Sequence, residues 1–275
     1  MYSNRNSFLS NIPPVTKNLI LINIVVLVLT FIVKSVFHQD LVTEYLALYY
    51  PGSTKFMFHQ IITHMFMHAN ITHLFFNMFA LYMFGRILEQ VWGGKRFLIY
   101  YFITGLGAMT LHTFVNYLQI SSLQNQLTAI LNSPSPELFA DWVRSNFPYY
   151  FDQIYEKLIA PWTANPNNTE FIAVAQRFGQ DLITFDMNIP TVGASGAVFG
   201  VLLAFGMLFP NTELMLLFPP IPIKAKYFVL GYGAIEIYLA LNMPGDGVAH
   251  FAHLGGMLFG FVLIKMWNKR RNTFY

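Results

Sequence analysis

The chain has 275 residues, 55% of them hydrophobic and only 11% charged, with a net charge of +3 and no cysteine. Soluble domains usually carry roughly 25% charged residues, so the composition argues against a water-soluble globular protein. The absence of cysteine excludes a disulfide framework and thiol chemistry. Basic residues at the edges of apolar blocks, rather than in one patch, point away from a nucleic-acid partner.

Residues 1–17 read as a short cytoplasmic tail, in which Thr16 is placed to cap the first span. Six apolar blocks follow, at 19–37, 71–92, 97–118, 194–209, 227–241 and 248–267. Most reach or approach the ~20 residues that a helix needs to cross about 30 Å of hydrocarbon. Unpaired backbone is not tolerated in lipid, so each block is predicted to be helical. The first block is too long for a signal-peptide core, and His38-Gln39-Asp40 follows it rather than a small-residue cleavage site. It reads as a retained span. The fold class predicted is an all-α membrane protein with six transmembrane helices.

The outer loop 38–70 mixes Tyr45, Tyr49, Tyr50, Phe56 and Phe58 with His59, His64 and His68, a composition suited to the membrane interface. Gly93-Gly94 supplies a tight inner turn between spans two and three. Residues 119–190 hold Ser133-Pro134-Ser135-Pro136, Asn165-Pro166-Asn167-Asn168 and most of the acidic groups. A structureless loop of that length is improbable, so the stretch is predicted to be a mostly helical extracytoplasmic insertion between helices 3 and 4. Spans four to six and their loops then occupy 191–268, and 269–275 form a second cytoplasmic tail. With the N-terminus inside, eleven of the sixteen Lys and Arg fall inside, Arg5, Lys95, Arg96, Arg270 and Arg271 among them. This positive-inside bias puts both termini in the cytoplasm, and the membrane expected is a bacterial plasma (inner) membrane.

The fourth span is short. Fifteen residues from Ser195 to Phe209, stopped by Pro210, make about 22 Å of helix at 1.5 Å per residue. The irregular backbone of 186–193 would then descend into the membrane, which is tolerated only beside protein or a wet cavity. Ser195 opens that helix inside Gly193-Ala194-Ser195-Gly196. Backbone N–H groups and the positive end of the helix dipole surround such a serine and favour a developing oxyanion. The glycines let the chain turn sharply and a substrate approach. Taken alone, the four residues read more readily as an N-cap serine with packing glycines.

Span six carries Ala249-His250-Phe251-Ala252-His253-Leu254-Gly255-Gly256, and a histidine inside a membrane helix is costly and usually functional. Small residues recur at four-residue spacing, Gly196, Gly200 and Ala204 on span four and Ala252, Gly256 and Gly260 on span six. Such stripes allow close helix contact. Packing them together would bring His253 to Ser195, with the imidazole as general base and then acid. On span two, His73 and Asn77 are four apart on one face. Both can donate to an oxyanion, and polar glue between helices is the lesser alternative.

His-x-x-x-Asn on one span, Gly-x-Ser-Gly on a later one and Ala-His-x-Gly-Gly-x-x-x-Gly on the last resemble the rhomboid intramembrane serine proteases. The resemblance covers residues 17–118 and 190–268. It implies a six-helix bundle, a Ser195–His253 dyad with no third acid, and no cofactor. It also implies oxyanion stabilisation by His73, Asn77 and the Ser195 N–H, and an aromatic, Phe199, packed on the base. Phenylalanine is a departure there, where tyrosine is frequent, and the Trp-Arg pair of the family's first loop is not evident. The partners implied are single-span membrane protein substrates in the lipid bilayer, cleaved near their outer end. A non-catalytic binder of transmembrane helices is the alternative, set against by the presence of both dyad members.

His64 and His68 are four apart, but no carboxylate lies nearby in that segment, so a metal is not expected. His250 reads as a rim residue, and Asp246 as a turn aspartate in Pro244-Gly245-Asp246-Gly247. Glu236, in the middle of span five, is expected to be neutral or hydrogen-bonded inside the bundle, and Glu89 to be a structural acceptor.

Overall fold

Helix α1, Pro14–Phe37, begins with Pro14 at its first position, where a missing N–H costs nothing. Its remaining free N–H groups meet Glu89. The two carboxylate oxygens accept from Val15 N at 2.9 Å, Thr16 N at 2.7 Å and Thr16 Oγ1 at 2.7 Å. Glu89 sits near the end of α2, Ile71–Trp92, so the end of the second span caps the start of the first. Helix α3 runs from Gly94 to Asn132, α4 from Ser195 to Leu208, α5 from Ala225 to Asn242 and α6 from His250 to Lys269. The computed structural model describes residues 12–166, 168–215, 220–243 and 247–269. Arg5, Asp246 with its Pro244-Gly245 neighbours, and Arg270 and Arg271 of the expected C-terminal tail lie outside the described residues.

Among the described residues, α1, α2, α3 and residues 250–268 of α6 are long and apolar enough to cross a membrane. The expectation of six spans is thus met by length and composition in four helices. The apolar α4 has only 14 residues, and α5 has 18 residues that include Glu236. The all-α expectation needs one amendment. After α4, Glu213–Met215 pairs antiparallel with Pro222–Lys224, in the register Glu213 with Lys224 and Met215 with Pro222. Proline at the first position of a strand leaves no ladder donor unmade.

The chain forms two compact units. One comprises residues 1–48, 56–113 and 190–275 and holds α1, α2, the first part of α3, and α4 to α6. Its core is built from Met65, Leu81, Leu88, Phe97, Tyr100, Tyr101, Ala197 and Val201. Its lipid-side surface is apolar, with Val25, Leu29, Ile32, Phe75, Leu230 and Ile237 all exposed, as expected where hydrocarbon replaces water.

The helices of this unit approach closely where side chains vanish. A β-carbon on Gly256 would collide with the backbone carbonyl of Gly196, so α4 and α6 touch backbone to backbone at that point. The two small-residue stripes do not meet along their whole length, however. Gly200 lies against Thr104 and Gly260 against Tyr100, both on α3, and the Tyr100 hydroxyl donates to the Gly200 carbonyl at 2.8 Å. The stripes serve a junction of three helices.

The second unit comprises residues 49–55 and 114–189. The last part of α3, Pro136–Asn146, residues 151–164 and Thr169–Met187 are helical there. They enclose Phe139, Trp142, Val143, Leu158, Trp162 and Ile183. Ser135 caps the Pro136–Asn146 helix by accepting from Leu138 N, and Asn168 caps the Thr169–Met187 helix by accepting from Glu170 N.

Candidate active site

The approach to α4 is held by backbone hydrogen bonds. Thr191 and Leu48 exchange both N–H···O=C bonds, at 2.8 and 3.0 Å, in an isolated antiparallel bridge. Gly193 N donates to the carbonyl of His64 at 3.0 Å. Irregular backbone leading into an apolar bundle needs such pairing. The loop between α1 and α2 therefore acts as the template on which residues 190–194 lie, and His64 takes part through its main chain. The His64 ring bonds the Gln60 carbonyl through Nδ1 at 2.8 Å. Burial lowers the His64 pKa from its ordinary value. His68, also buried, is pushed down to about 3 by burial and then by the neighbouring His73.

Ser195 is the first residue of α4, and its Oγ is 2.9 Å from His253 Nε2 on α6. The backbone contact of Gly196 with Gly256 explains the reach, because it brings the two helix axes together next to Ser195 and about one turn from His253. Phe199, one turn along α4, lies on the imidazole of His253. Phe199 in turn touches Tyr232 of α5, with ring centroids 5.3 Å apart.

Gly193 occupies a conformation that L side chains rarely adopt, at φ +132°. The absent side chain matters as much as the backbone. A β-carbon there would sit 3.2 Å from His73 Nε2 and 3.4 Å from Ser195 Oγ. The glycine thus leaves a void between a hydroxyl and an imidazole, at hydrogen-bonding range of both. His73 is fixed at the start of α2 by the Asn70 cap, whose Oδ1 accepts from His73 N at 2.8 Å. Asn77 is buried on the same helix, and one of its amide hydrogens is spent on the His73 carbonyl at 3.0 Å.

Two partners were not foreseen from the sequence. Glu236 Oε2 lies 2.9 Å from His253 Nδ1 and 2.6 Å from His250 Nδ1. The carboxylate is therefore hydrogen-bonded inside the bundle, and His250 is a buried partner rather than a rim residue. Its helix gave a signal: Ala225, Val229, Gly233 and Glu236 form the buried stripe of α5, at helical spacing. Nothing in that period names His253 as the partner. The second is His112 on α3, whose Nε2 meets Thr191 Oγ1 at 3.0 Å. One ligand atom each from Glu236, His250 and His253 lie within 4.8 Å of one another, close enough for three ligands of one ion. The two short hydrogen bonds account for the same spacing with protons.

A model of the Rhomboid domain matches residues 55–123 and 169–270. The chain is also similar to two curated proteins. It is 29% identical over 220 residues to an uncharacterized mitochondrial rhomboid protein of Schizosaccharomyces pombe, a match covering 77% of this chain and 50% of that protein. It is 35% identical over 91 residues to the mitochondrial Rhomboid protein 1 of Saccharomyces cerevisiae, covering 30% of this chain and 25% of that protein. The matches thus span half or less of the length of these relatives. Both are named as mitochondrial, which overturns the expectation of a bacterial plasma membrane with cytoplasmic termini. Apolar length and Lys–Arg asymmetry report insertion and orientation, and neither identifies which membrane receives the chain.

Proposed function

The chain belongs to the rhomboid family, and from that premise we propose that it is an intramembrane serine endopeptidase acting on single-span membrane proteins. In this reading α1 to α6 are the six spans of a rhomboid bundle, and the helical unit between α3 and α4 is an insertion. Ser195 is the nucleophile and His253 the base. The observation that carries the proposal is the 2.9 Å hydrogen bond between Ser195 Oγ and His253 Nε2.

The chemistry follows from the surroundings of that bond. His253 takes the Oγ proton as Oγ attacks the substrate carbonyl, and returns it to the leaving amine as the C–N bond breaks. Water then hydrolyses the acyl-enzyme by the reverse proton path. The carbonyl oxygen gains charge in the space opened by Gly193, beside His73 Nε2, and this reading assigns the Ser195 N–H and Asn77 as the other donors. At 14 residues α4 is about 21 Å long, short of the ~30 Å of hydrocarbon. Ser195 therefore lies below the membrane surface, and substrate helices must unwind near that depth to present a peptide bond. Small or helix-breaking residues at the cleavage point are expected.

The test uses the purified full chain in detergent, a helix-destabilised transmembrane substrate and a fluorophosphonate probe. Wild type should cleave and label, and Ser195→Ala and His253→Ala should do neither. Cleavage by Ser195→Ala at the wild-type rate would overturn the proposal. Substrate binding without cleavage or labelling by wild type would favour the non-catalytic helix binder.

A further inference from the structure

Helix α5 turns most of its surface outward, with Tyr227, Leu230, Ile235, Ile237, Tyr238 and Leu241 all exposed. A carboxylate on such a helix is costly unless its lone pairs are satisfied. Glu236 is only 6% exposed, and one oxygen, Oε2, faces the Nδ1 atoms of both His253 and His250. A rhomboid dyad without a third acid leaves this carboxylate without a task.

Proton bookkeeping assigns one. A neutral imidazole carries a single N–H. If that hydrogen is on Nε2 of His253, the ring has no lone pair for the Ser195 hydroxyl and cannot act as base. If it is on Nδ1, it points at Glu236 Oε2, and the Nε2 lone pair faces Ser195 Oγ. A protonated carboxyl has one O–H to give, and giving it to His253 Nδ1 would enforce the wrong tautomer. Two nitrogens converging on one oxygen fit a carboxylate accepting from two N–H donors.

We propose that Glu236 is a positioning residue that holds His253 in its base-competent tautomer, and that His250 holds Glu236 for that task. The inference rests on the serine protease reading. When Oγ forms its bond to the substrate carbon, its proton moves to His253 Nε2, and the carbonyl electron pair moves to oxygen. The resulting imidazolium keeps Nδ1–H on the carboxylate, which stabilises it and does not itself take the proton. When the C–N bond breaks, Nε2 gives its proton to the amine, and Glu236 ends as it began. The other titratable side chains that interact electrostatically with Glu236 or His253 are Tyr232 on α5, His73 on α2 and His112 on α3. Helix α4 brings no ionisable side chain.

The experiment measures kcat, KM and the pH profile of kcat/KM for the full chain in detergent, with thermal unfolding alongside. Wild type is compared with Glu236→Gln, Glu236→Asp, His250→Gln and Ser195→Ala. Glu236→Gln keeps the shape and removes the charge. Its kcat should fall by roughly 10²–10⁴, by analogy with loss of the triad carboxylate elsewhere, with KM within about twofold. Its acid limb should also move to lower pH, because the imidazolium loses its counter-charge. Glu236→Asp should recover part of kcat, and His250→Gln should lower it less than Glu236→Gln. A merely structural Glu236 would alter the unfolding temperature and leave the acid limb in place. Wild-type kcat and an unmoved limb in Glu236→Gln, beside an inactive Ser195→Ala, would overturn this inference alone. An active Ser195→Ala would overturn the protease reading beneath it. Should Glu236→Gln fail to fold, His250→Gln with wild-type kcat and an unmoved limb would overturn the assignment.

Discussion

Phe199 lies flat on the imidazole of His253, with ring centroids 4.1 Å apart and planes 7° from parallel. The contact restrains ring tilt, while Glu236 and Ser195 fix the two ring nitrogens. Aromatic pairs contribute about 0.5–1.5 kcal/mol beyond burial. Phe199→Leu should therefore lower kcat by about two- to tenfold, at little cost in stability. Phe199→Tyr keeps the stacked ring and should cleave within about twofold of wild type. Steady-state kinetics of the two variants check this, and equal activity of Phe199→Leu and wild type would refute it.

Gly193 leaves little room for a side chain. An alanine there meets both a backbone at φ +132° and the space between His73 and Ser195. Strain of this kind costs on the order of 1–3 kcal/mol. Under the proposed mechanism, the methyl group would also fill the place of the substrate oxygen. Gly193→Ala should lose at least about 100-fold in kcat, the scale of a disabled oxyanion site. Cleavage assays beside thermal unfolding separate the two effects, and near wild-type turnover would show that the oxyanion lies elsewhere.

Glu89 caps the start of α1 through its carboxylate. Replacing it by alanine leaves Val15 N and Thr16 N without their acceptor, at a cost of about 1–3 kcal/mol for a buried unsatisfied donor. The unfolding temperature of Glu89→Ala in detergent should drop. Fluorophosphonate labelling per folded molecule should not change, and a selective loss of labelling would contradict the assignment.

The buried loop histidines make stability fall with acid. His68 takes a proton near pH 6.5 when unfolded and only near pH 3 when folded. Between those values the unfolded chain binds more protons, so stability is complete above pH 6.5 and declines as pH falls through the window. His64, lowered by burial, acts in the same direction. Unfolding temperatures from pH 7 to pH 4 should fall more steeply for wild type than for His68→Gln. Parallel curves would show that His68 titrates as it does in the unfolded chain.

The amino-acid order alone made several things legible. Apolar blocks near membrane length report helices in lipid, because backbone polar groups have no other partner there. Serine at a helix start between glycines, and histidine inside an apolar span, are each costly or special enough to stand out. The helical character of 119–190 followed from proline and asparagine punctuation between apolar periods, and Ser135 and Asn168 cap helices there. The shortness of α4 was likewise readable from Pro210.

What stayed hidden is set by how helices are rotated against one another. Period 3.6 tells which residues of α5 share a face, and so that Glu236 is buried with Gly233 and Val229. It does not say that this face meets Nδ1 of His253 rather than a neighbouring helix. The same holds for Thr104 and Tyr100 of α3, which lie against Gly200 and Gly260 of the two stripes. It holds too for the loop backbone at His64, which fixes Gly193. Periodicity is a property of one helix, whereas the partner across an interface depends on steric fit among several. In this protein the local sequence determined the helices and the candidate site residue types, and close packing at Gly196 and Gly256 decided which of them meet.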